Sequence, residues 1–102
     1  MVYQPRFVLD VGGVFHYSTE ATLSKVPRIA LVIREWKQQE AEEFVVDSAP
    51  FVDRDGILFY HILSFLRNRS ISNIPPDMIG PLMIEAAYFQ MRDMETQLKA
   101  LV

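Results

Sequence analysis

The two histidines, His16 and His61, are the side chains in this sequence best suited to carry a proton or to bind a metal ion. His16 lies between two aromatic residues in a short β-rich run, and His61 lies in an amphipathic run. Neither has a second histidine at ligand spacing, and the chain has no cysteine that could complete a zinc site. We therefore interpret both histidines as structural residues and predict no metal site.

Three aspartates, Asp47, Asp53 and Asp55, offer the carboxylate oxygens that calcium prefers. A calcium loop, however, gathers several such ligands within about twelve residues and ends on a bidentate glutamate. Here Arg54 places a positive charge between two of the aspartates, and no such glutamate follows. The pattern therefore favours turn capping and ion pairing over a calcium site.

The remaining signals for chemistry are weak. The pair Gly12-Gly13 lacks the third glycine of a dinucleotide-binding loop and the Gly-Lys-Ser/Thr of a phosphate-binding loop. No serine lies in a Gly-x-Ser-x-Gly elbow, and a cysteine nucleophile is absent from the sequence. We therefore predict no catalytic residue, no cofactor-binding residue and no cofactor, and we expect that the chain is not an enzyme.

The composition points to association with other protein chains. The chain has 102 residues, of which 50% are hydrophobic, and a net charge of −3. A single small domain with so many apolar residues exposes some of them, which favours burial against a partner, and the alternative is a tightly packed monomer. The negative charge argues against a nucleic-acid partner. No apolar run is long enough to span a membrane, and the first residues do not resemble a signal peptide, so we expect no membrane contact by this segment.

The central element is predicted at residues 51–67 (FVDRDGILFYHILSFLR), where an apolar step and a charged turn lead into a helix. The helix is predicted from a stripe with steps of three, one and three residues. The stripe comprises Phe59, Ile62, Leu63 and Leu66. Asp55 and Gly56 suit the start of this helix, and Arg67 suits its last turn.

The preceding elements are predicted from alternation and turn residues. Residues 6–11 and 14–18 alternate as two strands, and Gly12-Gly13 connects them as a hairpin. Ser18 or Thr19 can cap a short helix over residues 21–25. Residues 28–39 fit a helix better than a strand, although the β-branched run in them keeps the strand open. A short strand is predicted at residues 44–47.

A long helix is predicted over residues 82–102, after a loop at residues 68–76. Its apolar positions step 4, 3, 4 and 3, as in a heptad seam. The seam comprises Ala87, Met91, Met94, Leu98 and Leu101. One interpretation is that this helix packs on the core of the domain. The other is that residues 91–102 leave the core and pair with other chains.

Three motifs in order give the chain a family resemblance. They are LDVGG at residues 9–13, FVDRDG at residues 51–56 with ILSFLR at residues 62–67, and EAAYFQ at residues 85–90. With them, the chain resembles the BTB/POZ domain of the potassium channel tetramerisation type, and its motifs are closer to the members that are not channels. The family motif positions in this sequence are Asp10, Gly12, Gly13, Gly56, Phe59, Phe65, Arg67, Glu85, Tyr88 and Phe89. His16 and Ser18 depart from the pattern, because the family usually has an aromatic residue and a threonine there.

The resemblance implies a mixed α/β (α+β) fold, in which an N-terminal β-hairpin and a small sheet are covered by several short helices. It places the domain at residues 6–95 and leaves residues 96–102 as a helical extension or the start of a linker. It further implies a homo-tetramer or homo-pentamer, with Asp53, Arg54 and Asp55 as candidates for the contact between subunits.

Two functions are compatible with the resemblance. The first is a substrate adaptor for a cullin-3 ubiquitin ligase, and the alternative is the tetramerisation domain of a voltage-gated potassium channel subunit. A small ligand-binding protein or enzyme is a remote third. The expected location is the cytoplasm, with the nucleus as the alternative.

Overall fold

A computed structural model describes residues 5–42 and 49–102 of the protein. It forms two compact units, Met1–Gly56 and Ile57–Val102. The described residues of the first unit form three strands and two helices: β1 (Phe7–Val11), β2 (Val14–Ser18), α1 (Glu20–Leu23), α2 (Pro27–Glu42) and β3 (Phe51–Val52). Helix α3 (Gly56–Asn68) starts at the last residue of that unit. A 3₁₀ helix (Pro76–Met78), α4 (Ile79–Tyr88) and α5 (Arg92–Lys99) complete the second unit. The predicted fold class, mixed α/β with an N-terminal hairpin and a small sheet, is confirmed.

The sheet has the strand order β2-β1-β3. β1 and β2 pair antiparallel from Val11 opposite Val14 outward, as expected for a two-residue connection. β3 pairs parallel to β1, and the Asp10 N–H donates to the Pro50 C=O at 2.9 Å. The third strand of the sheet is therefore Phe51–Val52, which the sequence indicated only as an apolar step. The strand predicted at residues 44–47 lies outside the described residues.

Residues at their first turns explain where the two helices of the first unit begin. The Thr19 hydroxyl accepts a hydrogen bond from the Thr22 N–H and caps α1. α2 starts at Pro27. Proline suits the first position of a helix because an N–H there would have no partner within the helix, so its absence costs nothing. The helical interpretation of residues 28–39 is thus correct, and the strand alternative is not. The buried apolar side chains of this unit are Leu9, Val11, Leu23, Val26, Ile29, Ile33, Ala49 and Val52.

Helix α3 buries the apolar stripe that the sequence predicted. Phe59, Ile62, Leu63 and Leu66 are all buried, and Phe65 beside them is buried as well. Arg67 lies in the last turn, where a cation is favourable at the negative end of the helix dipole. The helix ends with Arg69 at φ +60° and a 2.7 Å hydrogen bond from its N–H to the Phe65 C=O. Helices commonly end in this way, with a left-handed residue whose N–H donates to the carbonyl oxygen four residues earlier.

The prediction of one helix over residues 82–102 is wrong, because the chain turns between α4 and α5. Gln90 adopts φ +58°, its N–H donates to the Ala87 C=O, and the Met91 N–H donates to the Ala86 C=O at 2.8 Å. This pair of bonds around a left-handed residue is a Schellman motif, which ends a helix. A continuous heptad seam is therefore absent here.

The interpretation that residues 91–102 leave the core is also wrong for three of the seam positions, Met91, Met94 and Leu98. Met94 and Leu98 in α5 are fully buried, and Met91 before the helix is nearly so. Ala87 and Leu101, by contrast, are exposed. Because the turn at Gln90 resets the helical phase, the seam residues no longer share one face. The predicted domain boundary after residue 95 stays a prediction.

Candidate interaction surface

The charged turn at residues 53–55 is connected to the hairpin turn through the carbonyl of Val52, the residue before it. The Val52 C=O accepts from the Gly12 N–H and from the Arg54 N–H, each at 3.0 Å. Gly12 and Gly13 both have positive φ values, +59° and +96°. A Cβ at Gly12 would collide with the Arg54 carbonyl oxygen, so the close approach of the two turns requires glycine at this position.

Asp10 closes the hairpin from the β1 side. Its Oδ1 accepts a hydrogen bond of 2.8 Å from the Gly13 N–H. A short aspartate side chain that binds a backbone N–H in a turn replaces a bond that the turn backbone cannot make itself. The motif residues Asp10, Gly12 and Gly13 thus stabilise the hairpin turn and the position of the charged turn beside it.

His16 in β2 is hydrogen-bonded to Gly56, the residue that follows the charged turn. It is only 7% exposed, and its Nε2 lies 2.8 Å from the Gly56 C=O. A carbonyl oxygen can only accept, so Nε2 must carry the proton and donate. Gly56 is buried as well, and a Cβ there would meet the Val11 carbonyl and the Val14 side chain. The structural interpretation of His16 agrees with this geometry, although the family usually has an aromatic residue at the position.

The turn itself presents charge to solvent. Asp53 and Asp55 are exposed, and Arg54 is half-buried. Nothing in a single chain tests the prediction that these three residues contact the next subunit, so they stay candidates. What the geometry adds is a rigid support, since both ends of the turn are hydrogen-bonded to the hairpin or to residues beside it.

The outer face of the sheet is an apolar surface that the sequence analysis missed. Phe15, Tyr17 and Phe51 are 48%, 53% and 52% exposed. The strand register places Tyr17 opposite Val8, and Asp10 between Phe15 and Phe51. The Arg6 guanidinium lies 5.5 Å from the centre of the Tyr17 ring, within the range of a cation–π interaction. We call Val8, Asp10, Phe15, Tyr17 and Phe51 the outer sheet face.

A signal for the outer sheet face was present in the alternation of β2. His16 faces the core, so Phe15 and Tyr17 must face away from it. A groove of about 230 Å³ between α2 and β3 extends this apolar surface at Phe51. Val32, Trp36 and Pro50 line its apolar part, and Glu35 and Gln39 line its polar part.

The motif residues of the second unit serve packing. The Phe59 and Phe89 rings meet edge to face at 5.6 Å, and Tyr88 packs on Phe89 at 5.0 Å. Phe65 and Glu85 are buried. Arg67 is exposed. These side chains support the helices, and we assign them no chemistry.

In residues 5–42 and 49–102, no three histidine or acidic side chains lie close enough together to hold a metal ion. Within the same ranges, no helix combines the length and apolarity needed to cross a lipid bilayer. Asp47, one of the three aspartates considered for calcium, lies outside the described residues.

A comparison with known protein families finds a match over most of the chain. The family described as the BTB/POZ domain matches residues 7–98 of the chain. The matched segment contains the hairpin, the charged turn, α3, α4 and nearly all of α5.

Proposed function

Because this chain belongs to the BTB/POZ family, in its potassium channel tetramerisation type, we propose that it is a self-assembling adaptor for a cullin-3 ubiquitin ligase. BTB/POZ domains are protein-interaction domains that mediate self-association. The observation that carries the proposal is the match over residues 7–98, which takes in both turns and the outer sheet face. We further propose that the protein acts in the cytoplasm, where it would meet a cullin scaffold.

The surface of the first unit supports the self-assembly part of the proposal. Three aromatic side chains about half exposed on one sheet face are a larger apolar area than scattered surface residues normally make. The charged turn at residues 53–55 is held against the hairpin turn beside that sheet. Apolar area contributes affinity, and charged side chains on a turn whose backbone is held contribute register and orientation.

Subunits in a closed ring meet head to tail, so one face of each subunit contacts a different face of the next. We propose that the charged turn lies in this contact and that the ring has four or five members. Light scattering after gel filtration measures the mass and decides between the two numbers. A monomer at high protein concentration would contradict the assembly proposal.

We predict that Arg54→Ala weakens the assembly more than it lowers the stability of the folded subunit. The guanidinium lies between two aspartates in sequence, and its loss removes the one cation of the turn. The expected result is a shift towards smaller species at a given concentration, with a change in melting temperature of only a few degrees. The control is Arg34→Ala, an exposed arginine in the middle of α2, which should leave the mass unchanged. A sharp fall in melting temperature with an unchanged mass would make Arg54 a structural residue within the subunit.

The adaptor part has a separate test. Pull-down of purified cullin-3 by the wild-type protein, under conditions in which the ring is intact, should recover a stoichiometric complex. Loss of cullin binding with an intact ring would overturn the adaptor role and leave self-assembly standing.

The tetramerisation domain of a channel subunit is the second candidate, because the type of family matched is compatible with it as well as with the adaptor. A channel subunit needs transmembrane segments in the same polypeptide, so the full-length transcript decides between the two. Such segments downstream would replace the adaptor proposal with the channel one.

A further inference from the structure

The loop between α3 and the 3₁₀ helix contains two serines that each follow an arginine by three residues. Its sequence at residues 67–72 is RNRSIS, so Arg67 precedes Ser70 and Arg69 precedes Ser72 at this spacing. Both serines are exposed. Some protein kinases select substrates by charge, through acidic side chains that bind an arginine at this distance from the target hydroxyl. The sequence motif alone does not distinguish the two serines.

The structure distinguishes them. Residues 67 and 68 belong to α3, so binding around Ser70 in an extended form would require the last turn of that helix to unwind. Residues 69–75 are outside any helix or strand, and they contain both Ser72 and its arginine, Arg69. The recognition segment of Ser72 is therefore already irregular.

Helix α5 holds this loop with two side chains. The Gln97 side-chain amide accepts from the Ile71 N–H and donates to the Arg69 C=O, each at 3.1 Å. The Asp93 carboxylate pairs with the Arg69 guanidinium at 3.0 Å. Both partners of that ion pair are more than 60% exposed, so the pair is weak and opens readily.

We propose that Ser72 is a phosphorylation site for a protein kinase that binds an arginine three residues before its target, and that Asp93 shields this site. In the reaction, the Ser72 Oγ attacks the γ-phosphorus of ATP, the bond to the bridging oxygen of ADP breaks, and the hydroxyl proton passes to the kinase. The kinase must take the Arg69 guanidinium from Asp93, so the ion pair and the kinase compete for the same group.

The product would also change the loop. A phosphate near Arg69 offers it a doubly charged partner in place of a carboxylate, and it repels Asp93. Phosphorylation should therefore loosen the hold of α5 on residues 69–71. The Ile71 N–H, which donates to the Gln97 side chain, should exchange its proton faster after phosphorylation.

The test is phosphorylation of the full 102-residue chain by purified calcium/calmodulin-dependent protein kinase with labelled ATP, and mass spectrometry of the product. Phosphate should be found on Ser72. Ser72→Ala should abolish most of the incorporation, and Ser70→Ala should leave it unchanged. Phosphate on Ser70 alone, or none in the folded protein, would overturn the proposal.

Two matched pairs of variants test the roles of the ion pair. Arg69→Lys should lower the initial rate about tenfold, because lysine does not reproduce the arginine fork, and Arg92→Lys should not change it. Asp93→Asn should raise the rate about two- to fivefold, as expected for release of a weak exposed pair. Glu95→Gln removes the same charge from the same helix and should have no such effect. A rate that falls with Asp93→Asn in a variant that circular dichroism shows to be folded would overturn the shielding role.

Discussion

At the scale of single residues, the charged turn and the hairpin turn come close together at a position that requires glycine. Gly12 combines a positive φ with close contact to the backbone of the charged turn. Gly13 has the positive φ but open space around it, and Gly80 in α4 has neither constraint. The three glycines therefore separate the cost of backbone strain from the cost of a collision.

We predict that alanine at these glycines has graded effects on stability. Gly12→Ala should destabilise the subunit by about 2 kcal/mol or more, because left-handed strain costs about 1–2 kcal/mol for alanine and the collision adds to it. Gly13→Ala should show only the strain. Gly80→Ala should stabilise the protein by about 0.5–1 kcal/mol, since alanine is the better helix former. Urea unfolding measures the three values. Equal losses for Gly12 and Gly13 would show that the turn backbone moves away without cost.

At the scale of elements, the turn between α4 and α5 decides what the C-terminal residues do. A residue in the left-handed region at Gln90 ends α4, and α5 then buries its own apolar side chains. Glycine is the usual residue at such a position, since glutamine carries a Cβ that the left-handed region disfavours. The chain therefore forms this turn without the glycine that would have predicted it from the sequence.

The turn can be tested at Gln90. Gln90→Gly should be tolerated, because glycine adopts the left-handed region without strain. Gln90→Val should cost about 1–2 kcal/mol or more, because a β-branched side chain is poorly accommodated there. Thermal unfolding of the two variants measures the difference. If valine were as well tolerated as glycine, the helix would continue through this position, as the heptad pattern suggested.

The burial of α5 gives a second prediction at this scale. Met94→Ala should lower the free energy of unfolding by about 2–5 kcal/mol, the usual cost of emptying a packed apolar site. Leu101, which is 51% exposed, is the control, and Leu101→Ala should cost less than about 1 kcal/mol. Chemical denaturation gives both values. An unchanged stability with a smaller assembly for Met94→Ala would restore the interpretation that this segment pairs with other chains.

At the scale of the whole molecule, the question is which surface of one copy another copy covers. The outer sheet face and the charged turn belong to the same unit and flank the same hairpin. An interface that binds stably buries roughly 800 Å² from each partner, which is more than three half-exposed aromatic rings provide. We therefore expect the contact to include both the sheet face and the turn.

We predict that Phe15→Ser weakens the assembly with little loss of subunit stability, because the side chain is half exposed in the single chain. Leu31→Ser in α2 is a matched control, since Leu31 is 47% exposed against 48% for Phe15 and lies off the sheet. Sedimentation velocity over a range of concentrations compares the two. If both variants assemble like the wild type, the outer sheet face is not part of the contact.

The sequence by itself determined the elements whose signals are local. The hairpin follows from alternation around two glycines, and α3 follows from an apolar stripe above a charged turn, because residues close in the chain decide both. The motifs in these elements also pointed to the family. The sequence was less informative where a partner distant in the chain decides the outcome.

Only the tertiary structure decided three features. Phe51–Val52 is a strand because β1 lies beside it, and two residues are too few for a periodic signal. The end of α4 depends on a left-handed glutamine, whereas the apolar spacing continues unbroken through it. Ser70 and Ser72 share one motif, and they differ only because α5 holds Arg69 and α3 includes residue 67. In each case the deciding feature is a contact or a backbone conformation that the linear apolar pattern does not encode.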